Sequence, residues 1–91
     1  MLNVLEDLIN LARQRKKNPV DGSYTNKLLN DKKLSADKVK EEIGELIEAI
    51  EKNSNKVHEA ADVLYHLMVI MEANDIKIED VMDELKKRQK K

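Results

Sequence analysis

The segment from Lys56 to Ala73 constrains the fold most, because its apolar side chains surround nearly the whole circumference of a helix. At about 100° per residue, they leave only one narrow polar line. Glu59, Asp62 and His66 form that line. A helix with so little polar surface is normally buried. The sequence therefore predicts that this helix lies inside a helical bundle or at a contact between subunits.

The remaining segments also repeat their apolar residues at helical spacing, and no strand pattern competes with them. Pro19 ends the first helix, and Ser35 is a good N-cap for the third. Asn74 is expected to adopt the left-handed conformation common just past a helix end. Besides the helix over 56–73, we predict helices over about 2–16, 35–52 and 78–89, and a short helix or turn over 24–30.

Two of these helices carry apolar stripes, and we expect the last helix to bury its own by packing. The stripe of the third helix consists of Val39, Ile43, Leu46, Ile47 and Ile50. The stripe of the last helix consists of Ile78, Val81, Met82 and Leu85.

The composition predicts a single domain over 1–91 with a thin core. The chain has no Phe, no Trp and only two Tyr, so its core is built from aliphatic side chains and Met. A helical chain of this length gains much from packing against a second copy. We therefore predict an all-α bundle of about four to five helices that is completed by homo-oligomerisation, most simply as a dimer.

Several classes of function are disfavoured by the same composition. There is no Cys, which excludes disulfides and thiolate chemistry, and no apolar run approaches the roughly 20 residues that span a bilayer. The basic residues lack the interleaved aromatic residues typical of single-stranded nucleic-acid binding. We expect a cytoplasmic protein with no membrane and no nucleic-acid partner.

Two acidic pairs carry the most specific chemical signal. Glu42 and Glu45 form one pair, Glu59 and Asp62 the other, and each pair is spaced i,i+3. That spacing places both carboxylates on one helix face, about 5–6 Å apart. Two such helices packed together would bring four carboxylates to one point, which suits a hard cation such as Mg²⁺, with Mn²⁺ as a substitute. The pattern predicts a metal-dependent enzyme that acts on phosphates.

Two simpler interpretations stay open. Glutamate-rich helix faces are usually only solvated, although the second acidic pair lies on a helix with no other polar face. His66 lies four residues after Asp62 and is either a metal ligand or a hydrogen-bonded structural residue. We favour the structural role because four carboxylates already satisfy a hard ion.

Three stretches of the sequence carry a family resemblance: Gly22–Leu29, Lys38–Glu45 and Glu59–His66, with a weaker fourth at Ile78–Val81. They resemble the phosphoribosyl-ATP pyrophosphohydrolases of histidine biosynthesis, which are similar to the MazG-type all-α nucleotide pyrophosphohydrolases. The acidic stretches are shared across the wider superfamily. The stretch with Ser23, Tyr24 and Thr25 resembles the histidine-pathway members.

The resemblance implies Mg²⁺-dependent hydrolysis of phosphoribosyl-ATP to phosphoribosyl-AMP and pyrophosphate. It implies catalytic roles for Glu41, Glu42 and Glu45, with Glu41 orienting water or a second metal. The implied metal ligands are Glu42, Glu45, Glu59 and Asp62. The implied substrate-binding residues are Ser23, Tyr24, Thr25 and Lys27, with Arg13 and Lys38 as further candidates for phosphate charge.

Two rival functions are compatible with the sequence. One is a MazG-type enzyme that hydrolyses ordinary or damaged nucleoside triphosphates or deoxynucleoside triphosphates. The other is a non-enzymatic helical interaction module in which the acidic pairs only set partner specificity. The first rival predicts a different substrate profile, and the second predicts no metal binding.

Overall fold

The computed structural model describes residues 1–89 and shows an all-α protein, which confirms the predicted fold class. No strand occurs in this part of the chain. Its helices are α1 (Asn3–Lys17), α2 (Tyr24–Asn30), α3 (Lys32–Lys52), α4 (Lys56–Ala73) and α5 (Ile78–Arg88).

The start of α3 differs from the sequence prediction. Asp31 is the N-cap, and its carboxylate accepts a hydrogen bond from the backbone N–H of Leu34 at 3.0 Å. Asp is as good a cap as Ser, and the earlier start adds a turn that places Ser35 inside the helix. Ser35 is buried there, so its prediction as the N-cap was wrong.

Asn and Asp residues in the left-handed region shape the other helix ends. Asn53 (φ 53°) ends α3 and Asn55 (φ 56°) precedes α4, which gives a tight connection between the two longest helices. After α4 the left-handed residue is Asp75 (φ 59°), whereas Asn74 has φ −106°. The prediction for Asn74 was therefore displaced by one residue, because Asp also tolerates this conformation.

The core lies where α2 packs against the second half of α4. Leu28 and Leu29 from α2 meet Val69 and Ala73 from α4. Tyr65 and other partly buried side chains surround this cluster. The core is small, as the composition predicts, and it lies at one end of α4, beyond the acidic residues.

The apolar stripe of α3 is only partly buried, with Val39 and Leu46 half-buried and its isoleucines exposed. Ile47 is 53% exposed and Ile50 is 57% exposed, whereas Ala49, on the opposite side of the helix, is buried against α4. Val57 and Leu64 of α4 are also exposed. The small Ala49 allows close packing of the two helices, while these larger apolar side chains stay exposed on the outside of the chain.

Helix α5 also departs from the prediction, since none of its residues is fully buried within the chain. Met82 and Leu85 are about half exposed, while Ile78 and Val81 are partly buried. No helix among residues 1–89 is long and apolar enough to cross a membrane. The cytoplasmic location stays a prediction.

Candidate active site

The acidic pairs meet at the contact between α3 and α4. Carboxylate oxygens of Glu42, Glu45 and Glu59 all lie within 4.8 Å of one another. Ligand atoms of Glu59, Asp62 and His58 form a second group within the same distance. We call Glu42, Glu45, Glu59 and Asp62 the acidic cluster. Glu59 belongs to both groups and therefore links the two helices.

Local geometry explains why the cluster forms. Residues 42, 45 and 49 share one face of α3, and residues 59, 62 and 66 share one face of α4. The tight connection through Asn53 and Asn55 folds α4 back onto that face of α3. The packing of Ala49 therefore draws the acidic faces of both helices together.

Burial of carboxylates in the acidic cluster is unfavourable, and hydrogen bonds from the described residues do not compensate for it at two oxygens. Glu42 Oε2 and Glu59 Oε2 are buried and have no hydrogen-bond partner among the described residues. Burial, and then the nearby charge of Glu45, raise the pKa of Glu42. Burial and the adjacent Glu45 carboxylate likewise raise the pKa of Glu59. Converging oxygen ligands with unpaired lone pairs fit a hard divalent cation.

A hollow of about 380 Å³ opens beside the cluster, between the end of α3 and the start of α4. Glu45 and Glu59 form part of its wall, and Lys52 and Asn55 line it further along. Its position next to the carboxylates leaves room for an anionic group that shares a cation with them.

His66 lies next to the acidic cluster and is 6% exposed. Its Nδ1 lies 2.8 Å from the backbone carbonyl oxygen of Asp62, and its Nε2 lies 3.0 Å from the Tyr24 hydroxyl. Both ring nitrogens are therefore already engaged, as expected for a structural histidine. This side chain connects the start of α2 to the acidic part of α4.

Ser23 and Thr25, the residues on either side of Tyr24, stabilise α2. Ser23 is the N-cap: its hydroxyl accepts hydrogen bonds from the backbone N–H of Asn26 at 3.3 Å and from Arg15 Nη1 at 2.7 Å. Thr25 is buried, and its hydroxyl lies 2.6 Å from the Tyr65 hydroxyl. Their visible contacts are therefore within the fold, and Tyr24 is the more exposed member of this stretch.

The remaining predicted site residues fall into different surroundings. Lys38 pairs with Glu41 at 3.2 Å, and Lys27 is exposed beside a hollow of about 440 Å³ at the loop before α2. Arg13 lies elsewhere, where its guanidinium donates to Glu79 at 2.5 Å and pairs with Glu72 at 3.6 Å. The structure brings the four acidic residues together and engages Arg13 in ion pairs outside the cluster.

Two residues of this region were not singled out from the sequence. His58 Nε2 lies 3.3 Å from Asp62 Oδ2, and the i,i+4 spacing of the pair was the available signal. Arg15 reaches Ser23 across the loop between α1 and α2, and only the tertiary structure shows this contact. Asn26 stabilises the same loop by accepting from Val20 N at 2.9 Å and donating to the Arg15 carbonyl at 2.8 Å.

Comparison with known proteins identifies the family of this chain. The family model described as phosphoribosyl-ATP pyrophosphohydrolase matches residues 5–89. A phosphoribosyl-ATP pyrophosphatase from Clostridium novyi is 44% identical, over 99% of this chain and 84% of the relative. One from Methanocella arvoryzae is 41% identical, over 99% of this chain and the full length of the relative.

A bifunctional relative shows the same similarity over part of its length. The histidine biosynthesis bifunctional protein HisIE from Pyrococcus furiosus is 40% identical over 98% of this chain, which spans 43% of that relative. The family match covers all four acidic residues and the stretch around Tyr24. On the evidence of the family model and of these relatives, the chain belongs to the phosphoribosyl-ATP pyrophosphohydrolase family.

Proposed function

We propose that this chain hydrolyses phosphoribosyl-ATP to phosphoribosyl-AMP and pyrophosphate, the second step of histidine biosynthesis. Water adds across the anhydride bond between the α and β phosphorus atoms, and the bridging oxygen leaves with one of the two products. Membership of the family supports this activity. The observation that carries the proposal is the acidic cluster, with two buried carboxylate oxygens that have no partner among the described residues.

The acidic cluster fits a Mg²⁺ ion, with Mn²⁺ as a substitute, held by Glu42, Glu45, Glu59 and Asp62. Such an ion supplies charge neutralisation for phosphate oxygens and lowers the pKa of water that it binds. Glu41 lies one residue before the cluster on α3, and we assign it the orientation of the attacking water. Its ion pair with Lys38 at 3.2 Å supports a defined position for that carboxylate.

Basic and hydroxyl side chains around the start of α2 are proposed to hold the substrate. Lys27 and Lys38 are cationic, and Lys38 pairs at 3.2 Å with Glu41, which directly precedes the cluster residue Glu42. Ser23 and Thr25 act mainly by holding α2 in place, since their hydroxyls are engaged within the fold. Arg13 is the weakest candidate because two carboxylates already neutralise it.

We further propose that the protein acts as a homodimer through the outer surface of α3 and α4. Ile43, Ile47 and Ile50 of α3 are exposed, as are Val57 and Leu64 of α4. An exposed apolar surface of this kind marks a contact site. Two copies of the α3–α4 hairpin that pack through it would form a four-helix bundle with the acidic clusters on its outer sides.

The test is pyrophosphate release by the purified protein with Mg²⁺. Phosphoribosyl-ATP is compared with a panel of nucleoside and deoxynucleoside triphosphates, and EDTA is the control. We expect release from phosphoribosyl-ATP that EDTA abolishes. Preference for the panel would instead support the MazG-type rival, whereas silence on every substrate combined with no Mg²⁺ or Mn²⁺ binding would support the interaction module.

Asp62→Asn tests the acidic cluster within the same assay. The change keeps the side-chain volume and removes one charge, so we expect a large loss of turnover with the helical fold retained. Asp37→Asn is the matched control, because Asp37 is an exposed carboxylate at another position whose ion pair among residues 1–89 is with Lys33. Full activity of the Asp62 variant would refute the assignment of this residue.

A further inference from the structure

The two hydrogen bonds of the His66 ring have a defined direction. A backbone carbonyl only accepts, so the 2.8 Å contact with the Asp62 carbonyl oxygen requires a proton on Nδ1. In the neutral imidazole Nε2 is then an acceptor. With the ring neutral, the hydroxyl of Tyr24, 3.0 Å from Nε2, donates its proton to His66.

Packing restrains the rings that make these contacts. The His66 ring meets the Tyr65 ring edge-on, with centroids 5.0 Å apart, and meets the Tyr24 ring in the same manner at 5.9 Å. The two tyrosine rings are stacked with an interplanar angle of 14°. Such aromatic contacts favour particular ring orientations, so the imidazole and the phenol are held relative to each other.

The Tyr24 oxygen is left with lone pairs but no free proton. Among the described residues His66 is its hydrogen-bond partner, and Tyr24 is 45% exposed. His66 lies on the same face of α4 as Glu59 and Asp62, so this hydroxyl lies at the edge of the acidic cluster. A ligand group that bonds to this oxygen has to be a donor, which a sugar hydroxyl is and a fully ionised phosphate oxygen is not.

We propose that Tyr24 accepts a hydrogen bond from a ribose hydroxyl of the nucleotide, and that His66 is the positioning residue that orients the phenol for this role. The inference rests on the proposed function. The α-phosphate carries the 5′ oxygen of the sugar, so a nucleotide with its phosphates at the acidic cluster has its ribose beside them. Tyr24 thereby distinguishes ribonucleotides from their deoxy counterparts and leaves phosphate binding to other side chains.

The kinetic test combines a protein change with a substrate change. Phosphoribosyl-ATP is compared with its analogues made from 2′-deoxy-ATP and 3′-deoxy-ATP, using wild type and Tyr24→Phe. Loss of one neutral hydrogen bond should lower kcat/KM roughly three- to tenfold. We expect wild type to lose this factor in kcat/KM on one of the two deoxy analogues, and Tyr24→Phe to lose the same factor on phosphoribosyl-ATP. Tyr24→Phe acting on that deoxy analogue should show no further loss. Losses that multiply on both analogues would overturn the proposal.

Two further variants separate orientation from simple structural support. His66→Gln should lower kcat/KM for phosphoribosyl-ATP and weaken the discrimination against the same deoxy analogue. Tyr65→Phe is the matched control, since it also removes a tyrosine hydroxyl, but one that bonds to Thr25. It should retain the full discrimination. Equal discrimination in His66→Gln and wild type would contradict the positioning role.

A spectroscopic measurement tests the hydrogen-bond direction without any turnover. Long-range ¹H–¹⁵N correlation spectra at about pH 8.5, where an ordinary imidazole is neutral, distinguish the two tautomers. We expect a protonated Nδ1 and an unprotonated Nε2 for His66 in metal-free protein. The opposite tautomer would refute the inference. If wild type released no pyrophosphate from phosphoribosyl-ATP, the proposed function would fail, whereas this spectrum would still decide the direction of the bond.

Discussion

Replacing Glu42 by Gln tests whether the acidic cluster is organised for a cation rather than for the stability of the fold. The substitution keeps the shape of the side chain and removes one of the converging charges. Carboxylate oxygens of Glu42, Glu45 and Glu59 lie within 4.8 Å of one another. At that separation one pair of like charges repels by about 1 kcal/mol in water and by about 3 kcal/mol at an effective dielectric constant of 20.

The same change removes no hydrogen bond from the buried oxygen, because Glu42 Oε2 has no partner in the described part of the chain. We therefore expect the free energy of unfolding of metal-free Glu42→Gln to exceed that of wild type by about 1–3 kcal/mol near pH 7.5. Glu48→Gln is the matched control on the same helix. Lys52 lowers the pKa of Glu48 by donating a hydrogen bond, so loss of that charge should not stabilise the protein.

The assay is urea unfolding at one protein concentration, first in EDTA and then with Mn²⁺ at about 100 times its dissociation constant. Binding at that concentration stabilises wild type by about 2.7 kcal/mol. Glu42→Gln should gain much less, because it lacks one ligand. The reasoning would be refuted if Glu42→Gln were less stable than wild type in EDTA and gained the same increment from Mn²⁺.

Three further predictions concern the rest of the chain. Ser35→Ala should raise the free energy of unfolding by about 1 kcal/mol in urea titrations, because the Ser35 hydroxyl is buried without a hydrogen-bond partner among residues 1–89. A decrease of that size in the free energy of unfolding would contradict this and indicate that the hydroxyl has a hydrogen-bond partner. Ile47→Glu should shift sedimentation from dimer to monomer, whereas the exposed control Asn30→Glu should not, and an unchanged dimer would exclude this surface. Arg13 lowers the pKa of Glu79, so this carboxylate stabilises the fold above its ordinary titration range and loses that effect as the pH falls through its lowered pKa. Melting temperatures measured from about pH 6 to pH 3 should therefore fall less for Glu79→Gln than for wild type.

Local sequence signals located the helices well. The range over 56–73 coincides with α4 and the range over 24–30 coincides with α2, because apolar periodicity and the polar breaks at Asn53–Asn55 act over a few residues. The errors at Ser35 and Asn74 have the same origin. At each place a nearby Asp takes the predicted role: Asp31 is the N-cap of α3, and Asp75 is the left-handed residue after α4. The sequence alone does not show which of two suitable residues takes such a role.

The interior of the bundle was less predictable. Hydrophobic patterning identified the isoleucine stripe of α3, and the spacing of the acidic pairs predicted that they converge between packed helices. In the structure Ala49 and the acidic residues face α4, while Ile47 and Ile50 remain exposed. Patterning shows which face of a helix is apolar, but it does not show whether that face packs within the chain or against another copy.

The sequence by itself determined the five helices, the two acidic pairs and the family, because each of these depends on residue identity and short-range spacing. Only the tertiary structure decided which acidic residues converge, that His66 connects Tyr24 to α4, and that Arg13 is engaged by Glu72 and Glu79. These contacts join residues far apart in the chain. They depend on how the helices are oriented and packed against one another. Side-chain volumes, such as that of Ala49, determine this packing, whereas local periodicity does not.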